Sequence, residues 1–175
     1  MIEVLVTIVI IATGLLGIAG LQVRLQVAEM ESYQRAQALV LLGDMANRVA
    51  TNRTAANSYV TTSAVGAGMT CAAASPTEML KDADIREWCN ALQGAAEVQS
   101  GTKLGAVVGG RGCVQALGNG EYLVTIAWQG QVPLVAPPSS ITCGANLYDG
   151  AAGAACINDL CRRFVTTVIR IAALT

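Results

Sequence analysis

From Val4 to Val23 the chain carries no charged residue. At ~1.5 Å rise per residue, ~20 apolar residues are enough to cross a ~30 Å hydrocarbon layer. The run VLVTIVIIATGLLGIAGL is apolar on every face and holds Gly14, Gly17 and Gly20 at a spacing of three. A secretory signal peptide would place positive charge before a shorter apolar core, whereas the only early charge here is the acid Glu3, so the segment reads as retained. No other segment of the 175 residues is long and apolar enough to cross a bilayer, which excludes a polytopic transporter.

The helix does not stop where a membrane would. Between Gln22 and Arg53 there is no proline and a single glycine, Gly43, while strong helix formers dominate. Leu39, Leu42, Ala46 and Val49 are expected to form a packed stripe, with Arg35, Asp44, Asn47 and Arg48 elsewhere on the wheel. About 50 residues in one helix would span roughly 75 Å. The expected organisation is a membrane-spanning helix half at 1–23, an amphipathic half at 24–53, and a globular head at 54–175.

Within the head, TAANSYVTTSAVGAGMT after Arg53 reads as a loop. Ser75, Pro76, Thr77 and Glu78 form a capping-box pattern with proline at the first helical position, predicting a helix from about Pro76 to Gln93, closed by Gly94. Ile85, Trp88, Cys89 and Leu92 share its core face. Strands are expected at Arg111 to Leu117, Glu121 to Gln129 and Arg162 to Leu174, the first two joined by a tight turn at Gly118, Asn119 and Gly120. Tyr122, Val124, Ile126 and Trp128 alternate, giving the second strand one buried face. The remaining stretch between Gln129 and Arg162, with three prolines and three cysteines, is a long loop of the kind that is functional or covalently tied.

Composition narrows the chemistry. Only 13% of residues are charged against a usual ~25%, and the net charge of -1 gives no general field toward phosphate, so a nucleic-acid platform is disfavoured. The absence of histidine excludes histidine-ligated zinc, Ser-His-Asp and imidazole acid/base enzymes. Cys71, Cys89, Cys113, Cys143, Cys156 and Cys161 behind an apolar anchor point to an oxidising compartment and three disulfides. Cys71 with Cys89 is the expected pair, closing the small-residue loop onto the capped helix. The other four are expected to staple the long loop to the sheet edge, in a connectivity that spacing leaves open. No Cys-x-x-Cys pair occurs, which argues against a thiolate metal or redox site. Gly109, Gly110, Arg111 and Gly112 read as a turn, since no Walker lysine or dinucleotide fingerprint accompanies them. Asp82, Asp84 and Glu87 read as a solvated helix face rather than acid/base machinery. Arg162 and Arg163 read as strand-edge charges that discourage aggregation.

Glu3 stands apart. A carboxylate just ahead of an apolar run costs several kcal/mol if drawn into lipid or a helix bundle unpaired, so it belongs at an interface or beside a cation.

The segments Ile2-Glu3-Val4-Leu5, VTIVIIATGLLGIAGLQ, QRAQALVLLGDMANRV, Trp88-Cys89, RGCVQALGNGEYLVTIAWQG and CRRFVTTVIRI resemble the type IV pilins, and specifically the PilV-type minor pilins, over nearly the whole chain. The resemblance implies an α+β type IV pilin fold: a long N-terminal helix whose second half packs on a small antiparallel sheet, followed by a disulfide-tied C-terminal region. It implies that Glu3 pairs with the amino terminus of a neighbouring subunit in a filament core. It further implies a non-enzymatic subunit without cofactor, metal or small-molecule substrate. Such a subunit is held in the inner membrane with its head in the periplasm, then joins a cell-surface pilus with other major and minor pilins. Filament initiation, adhesion or twitching motility would be its tasks. Family precursors begin with a short basic leader ending in glycine, cut before a residue that is then N-methylated. Neither is present in this sequence, and Met1 would fall two residues inside the mature chain. A pseudopilin of a type II secretion system shares the N-terminal logic. From a different class, an anchored periplasmic enzyme or binding domain would place its site near Asp82, Asp84 and Glu87.

Overall fold

The structure is a computed structural model and describes residues 2–95, 98–100, 102–103 and 107–172. Helix α1 runs unbroken over Ile2–Thr51. The chain divides into two compact units, one ending at Tyr33 and the other beginning at Gln34. In the first, the apolar side chains from Ile2 to Leu25 are exposed on all sides of the helix. In the second, Gln34, Ala38, Leu42, Met45 and Val49 are the buried face of α1. This corrects the expected stripe. Leu42 and Val49 belong to it, but Leu39 is half exposed, and Ala38 and Met45 take the positions facing the sheet. At 100° per residue both sets fill an arc of about 80°, and the buried one is turned about 60° toward Ala38 and Met45, away from Leu39.

After α1 the chain tightens into a 3-10 helix over Arg53–Tyr59 that buries Ala56 and Tyr59. A two-residue strand β1, Val65–Gly66, follows. Both lie in the stretch expected to be loop. Its small and polar residues carry little periodicity, and the two buried side chains are fixed by tertiary contacts. Helix α2 spans Leu80–Leu92, not Pro76 to Gln93. The capping box does not form, because the Glu78 carboxylate is taken by Arg86 (Oε1–Nη2 2.9 Å) instead of returning to Ser75. Met79 is the N-cap, without a side-chain bond. The C-terminus is as expected, with Gly94 at φ 79° just past it. Strands β2 (Val98–Gln99) and β3 (Thr102–Lys103) pair as a separate antiparallel ribbon.

The main sheet is β4 (Arg111–Gly118), β5 (Glu121–Gln129) and β6 (Arg162–Arg170), with β1 on the outer side of β4 in the order β1-β4-β5-β6. Every neighbouring pair is antiparallel. The β4-β5 turn places Asn119 at φ 53° and Gly120 at φ 75°, the positive pair that matches the twist of a two-residue hairpin. The third strand ends at Arg170, while 173–175 lie outside the described residues.

One face of the sheet receives α1 and α2. Tyr122, Val124, Ile126 and Trp128 of β5 point into this core, together with Val114, Val165, Trp88 and the α1 face. This is an α+β fold of the pilin kind, a long N-terminal helix packed on a small antiparallel sheet with disulfides in the C-terminal region. The other face of β5 is buried too. Thr125 and Ala127 are fully covered, beneath the 130–160 segment whose Cys143 and Tyr148 are themselves buried. A strand with two covered faces departs from the one-faced reading, because alternation cannot reveal what a distant loop will lie upon.

Trp88 is fully buried and donates from Nε1 to the Leu41 carbonyl of α1 (3.0 Å). Its ring lies over Gly112, where an added Cβ would meet indole carbons at 2.2–2.6 Å. Gly112→Ala is therefore expected to destabilise the head by about 1–3 kcal/mol through overpacking. Thermal unfolding followed by tryptophan fluorescence checks it, and an unchanged midpoint would show that the indole can shift at no cost.

Candidate functional site

Two features stand out from the fold, the exposed half of α1 and the charged junction inside the head. Glu3 occupies the first turn of α1, where a carboxylate complements the positive helix end. Beyond it the polar groups are few and turned inward. Thr7 Oγ1 donates to the Val4 carbonyl (2.9 Å), and Thr13 Oγ1 to those of Val9 and Ile10 (3.0 Å each). The surface from Val4 to Leu21 is thus hydrocarbon, and a Cβ added at Gly14, Gly17 or Gly20 would meet nothing within 4 Å. With mean hydropathy 2.6 over its most apolar window, α1 is long and apolar enough to serve as a single-pass membrane anchor.

The junction is built on Arg48, in the last turn of α1. Its Nε meets Asp44 Oδ2 at 2.9 Å, and Nη1 meets Asp84 Oδ1 at 2.7 Å and Glu87 Oε2 at 2.8 Å. Asp84 accepts a second hydrogen bond from the Tyr59 hydroxyl, which in turn accepts one from Asn52 Nδ2 (3.0 Å). Burial opposes the Arg48 charge, but the hydrogen bonds it donates to Glu87, Asp84 and Asp44 outweigh it and hold the guanidinium above its ordinary pKa. Burial, then the bond to Asp84, push the Tyr59 phenol up. Asp84 is buried, so the solvated-face reading fails for it, and Arg48 is not idle on the wheel. No sequence pattern joins residues 36 apart, so only tertiary structure brings them together. Asp82 stays on the surface with Lys81. One cation is shared among three carboxylates, and the bonds from Arg48 to Asp84 and Glu87 fasten α2 to α1.

Arg162 and Arg163 are likewise not simple edge charges. Arg162 is only 3% exposed. It donates from Nη1 to the carbonyls of Ile141 (2.7 Å) and Cys143 (3.0 Å) and pairs with Asp159 (3.1 Å). Arg163 donates to the carbonyls of Val132 (2.6 Å) and Leu160 (3.2 Å). Both hold the long loop against the sheet. A buried guanidinium such as that of Arg162 is costly unless paired, and an irregular loop with outward carbonyls supplies acceptors for its Nη1.

The disulfides are Cys71–Cys89, Cys113–Cys143 and Cys156–Cys161. The first ties the segment before α2 to that helix. The second ties the loop to β4, and its separation of 30 residues corresponds to about 3.6 kcal/mol in the chain-entropy model. The third links residues five apart and closes a local loop ahead of β6 instead of reaching the sheet edge. No cysteine is free, and among the described residues no group of three or more Cys, Asp and Glu could hold a metal ion. The Gly109–Gly110 turn is closed by the Tyr148 hydroxyl donating to the Gly109 carbonyl (2.9 Å), with Arg111 stacked 4.8 Å from the Tyr148 ring centroid. Comparison with protein-family models, with curated proteins and with solved structures finds no match to this chain.

Two outcomes follow for the junction. Arg48→Ala leaves Asp84 without its cation and is expected to cost about 2–3 kcal/mol in a chemical denaturation of the full chain, below the ~3–5 kcal/mol of a wholly buried pair because water still reaches Glu87 and part of Arg48. In Arg48→Ala/Asp84→Leu, where neither charge remains, much of that loss should be recovered. Tyr59 has its folded pKa raised above the unfolded value of ~10, so its contribution is fully present below about pH 10 and is lost as pH rises through the folded value. Melting temperature against pH is expected to fall on that limb, and Tyr59→Phe to make the fall shallower.

Proposed function

We propose that this chain is a minor pilin of a type IV pilus, which helps initiate filament assembly with other minor pilins and contributes to adhesion or twitching. The observation that carries the reading is one unbroken helix with two kinds of environment. Its first part is bare hydrocarbon headed by Glu3, and from Gln34 onward it carries a buried face in a disulfide-tied head. Such a helix needs an apolar solvent for residues 4–23. Lipid of the inner membrane supplies it before assembly, with the head in the periplasm. Other pilin helices supply it afterwards in the cell-surface filament. Glycines that meet nothing within their own chain suit close approach between helices. In that packed core the Glu3 carboxylate requires a cation, which the amino terminus of a neighbouring subunit provides. This role asks no catalysis, cofactor or nucleic acid of the chain itself.

Peptide mass spectrometry on filaments sheared from intact cells, compared with membranes, tests this. The wild-type chain is expected in the sheared fraction at low stoichiometry. Glu3→Leu, which keeps the apolar segment for insertion but removes the pairing charge, should remain in membranes while its share in filaments drops by ~tenfold or more, the factor set by only ~1.4 kcal/mol. Equal incorporation of wild type and variant would overturn the role of Glu3. A chain confined to the membrane with a cleaved, methylated terminus would instead indicate a pseudopilin of a type II secretion system, and an uncleaved one a simple anchored domain.

A further inference from the structure

Strand β6 is the last strand of the main sheet, and its ladder with β5 fixes which of its backbone groups are used. Gly130 N donates to the Cys161 carbonyl (2.7 Å) at one end, and Ile171 N donates to the Gly120 carbonyl (2.8 Å) at the other. In an antiparallel ladder, residues alternate between facing the partner strand and facing away. The odd-numbered residues 161 to 171 therefore bond to β5, and the even-numbered ones point outward. Arg162 N, the first outward group, is satisfied by the Asp159 carbonyl (3.0 Å). Among the described residues, the outward amides and carbonyls of Phe164, Thr166 and Val168 have no such partner.

This edge lacks the devices that keep sheet edges from pairing. It is nine residues long, it has no proline or bulge, and its centre Phe164-Val165-Thr166-Thr167-Val168 is uncharged and strongly β-forming. Val168 is 55% exposed, so the outer part of the strand also offers apolar surface. Charge enters only at the ends, as Arg162 and Arg163 on one side and Arg170 on the other, with no acid on the strand. Arg170 is the accessible one, its side chain 78% exposed and bound on one side to Glu121 of β5. A second copy of β6 carries no acid in any register, so it would bring nothing to complement the exposed Arg170 across the new strand pair. The charge pattern selects a different strand.

We propose that the outer edge of β6 accepts one extended strand from another protein, β-branched at its centre and carrying a carboxylate where it meets Arg170. The backbone bonds would come from the free amides and carbonyls of Phe164, Thr166 and Val168, and register from the acid at Arg170 and the apolar contact with Val168. The inference is independent of the pilus reading, since it needs only the head and its sheet.

The test uses the full chain in detergent micelles and two synthetic nine-residue peptides that alternate threonine and valine, one ending in glutamate and the other in lysine at the position facing Arg170. Hydrogen exchange at the amides of Phe164, Thr166 and Val168 is the readout. The glutamate peptide is expected to slow these three amides by at least ~tenfold, while Val165 and Thr167, already bonded to β5, change little, and the lysine peptide should be less effective. Arg170→Glu should exchange the preference between the two peptides. Thr166→Pro, which removes an outward donor without touching the β5 ladder, should abolish the protection at an unchanged melting temperature. If that variant does not fold, the charge exchange in Arg170→Glu decides alone. No protection at millimolar peptide, or equal protection by both peptides before and after Arg170→Glu, would overturn the proposal. So would protection of the three amides that rises with the concentration of the chain alone, which would make the occupant a second copy.

Discussion

The head depends on the burial of one indole. Trp88 of α2 reaches both other layers at once. Its Nε1 takes a carbonyl of α1, and its ring fills the space left by the missing side chain of Gly112 on β4. The residues around it use the same register of α2. One turn earlier Asp84 meets Arg48, and at the next position Cys89 is bonded to Cys71. A rotation of α2 by one residue would move ring, ion pair and disulfide out of place together. Such coupling is why a small cluster with a handful of large apolar residues can specify a single packing, since each interaction alone contributes only a few kcal/mol against the entropy of ordering the chain.

The same helix that supplies the head's third layer is hydrocarbon on all sides further toward its start. These two demands are met by changing composition along one continuous element. From Val4 to Leu21 every outward side chain is apolar or a self-bonded threonine, so water is a poor solvent for it. From Gln34 on, only a narrow line of small and medium side chains is covered. The C-terminal segment solves the opposite problem. It has few large side chains to bury, and it is kept on the sheet by Cys113–Cys143 and by guanidiniums that reach its carbonyls. Polar fastening of this kind suits a segment whose sequence carries little periodic hydrophobicity.

Much of this was legible beforehand because it is local. Helix propensity without proline gave α1, an Asn-Gly pair gave the β4-β5 hairpin, and alternation at Tyr122, Val124, Ile126 and Trp128 gave the core face of β5. The readings that failed share a cause. Ser75-Pro76-Thr77-Glu78 has the letters of a capping box, but Arg86 competes for the glutamate. Arg48, Asp84, Arg162 and Arg163 look like surface charges until distant partners arrive. The free edge of β6 was not readable at all, because an edge is a property of strand order, which no residue on the strand records.

The sequence by itself determined the elements and the solvent each requires: an apolar helix with an acid at its head, an amphipathic continuation, a hairpin and six cysteines available for pairing. These follow from short-range sterics and from the transfer free energy of individual side chains. Only the tertiary structure decided which cysteines meet, that Asp84 is buried against Arg48 and Tyr59, that both faces of β5 are covered, and that β6 is left with unpaired backbone. Those depend on contacts between residues tens of positions apart, whose energies exist only once the layers have closed on one another.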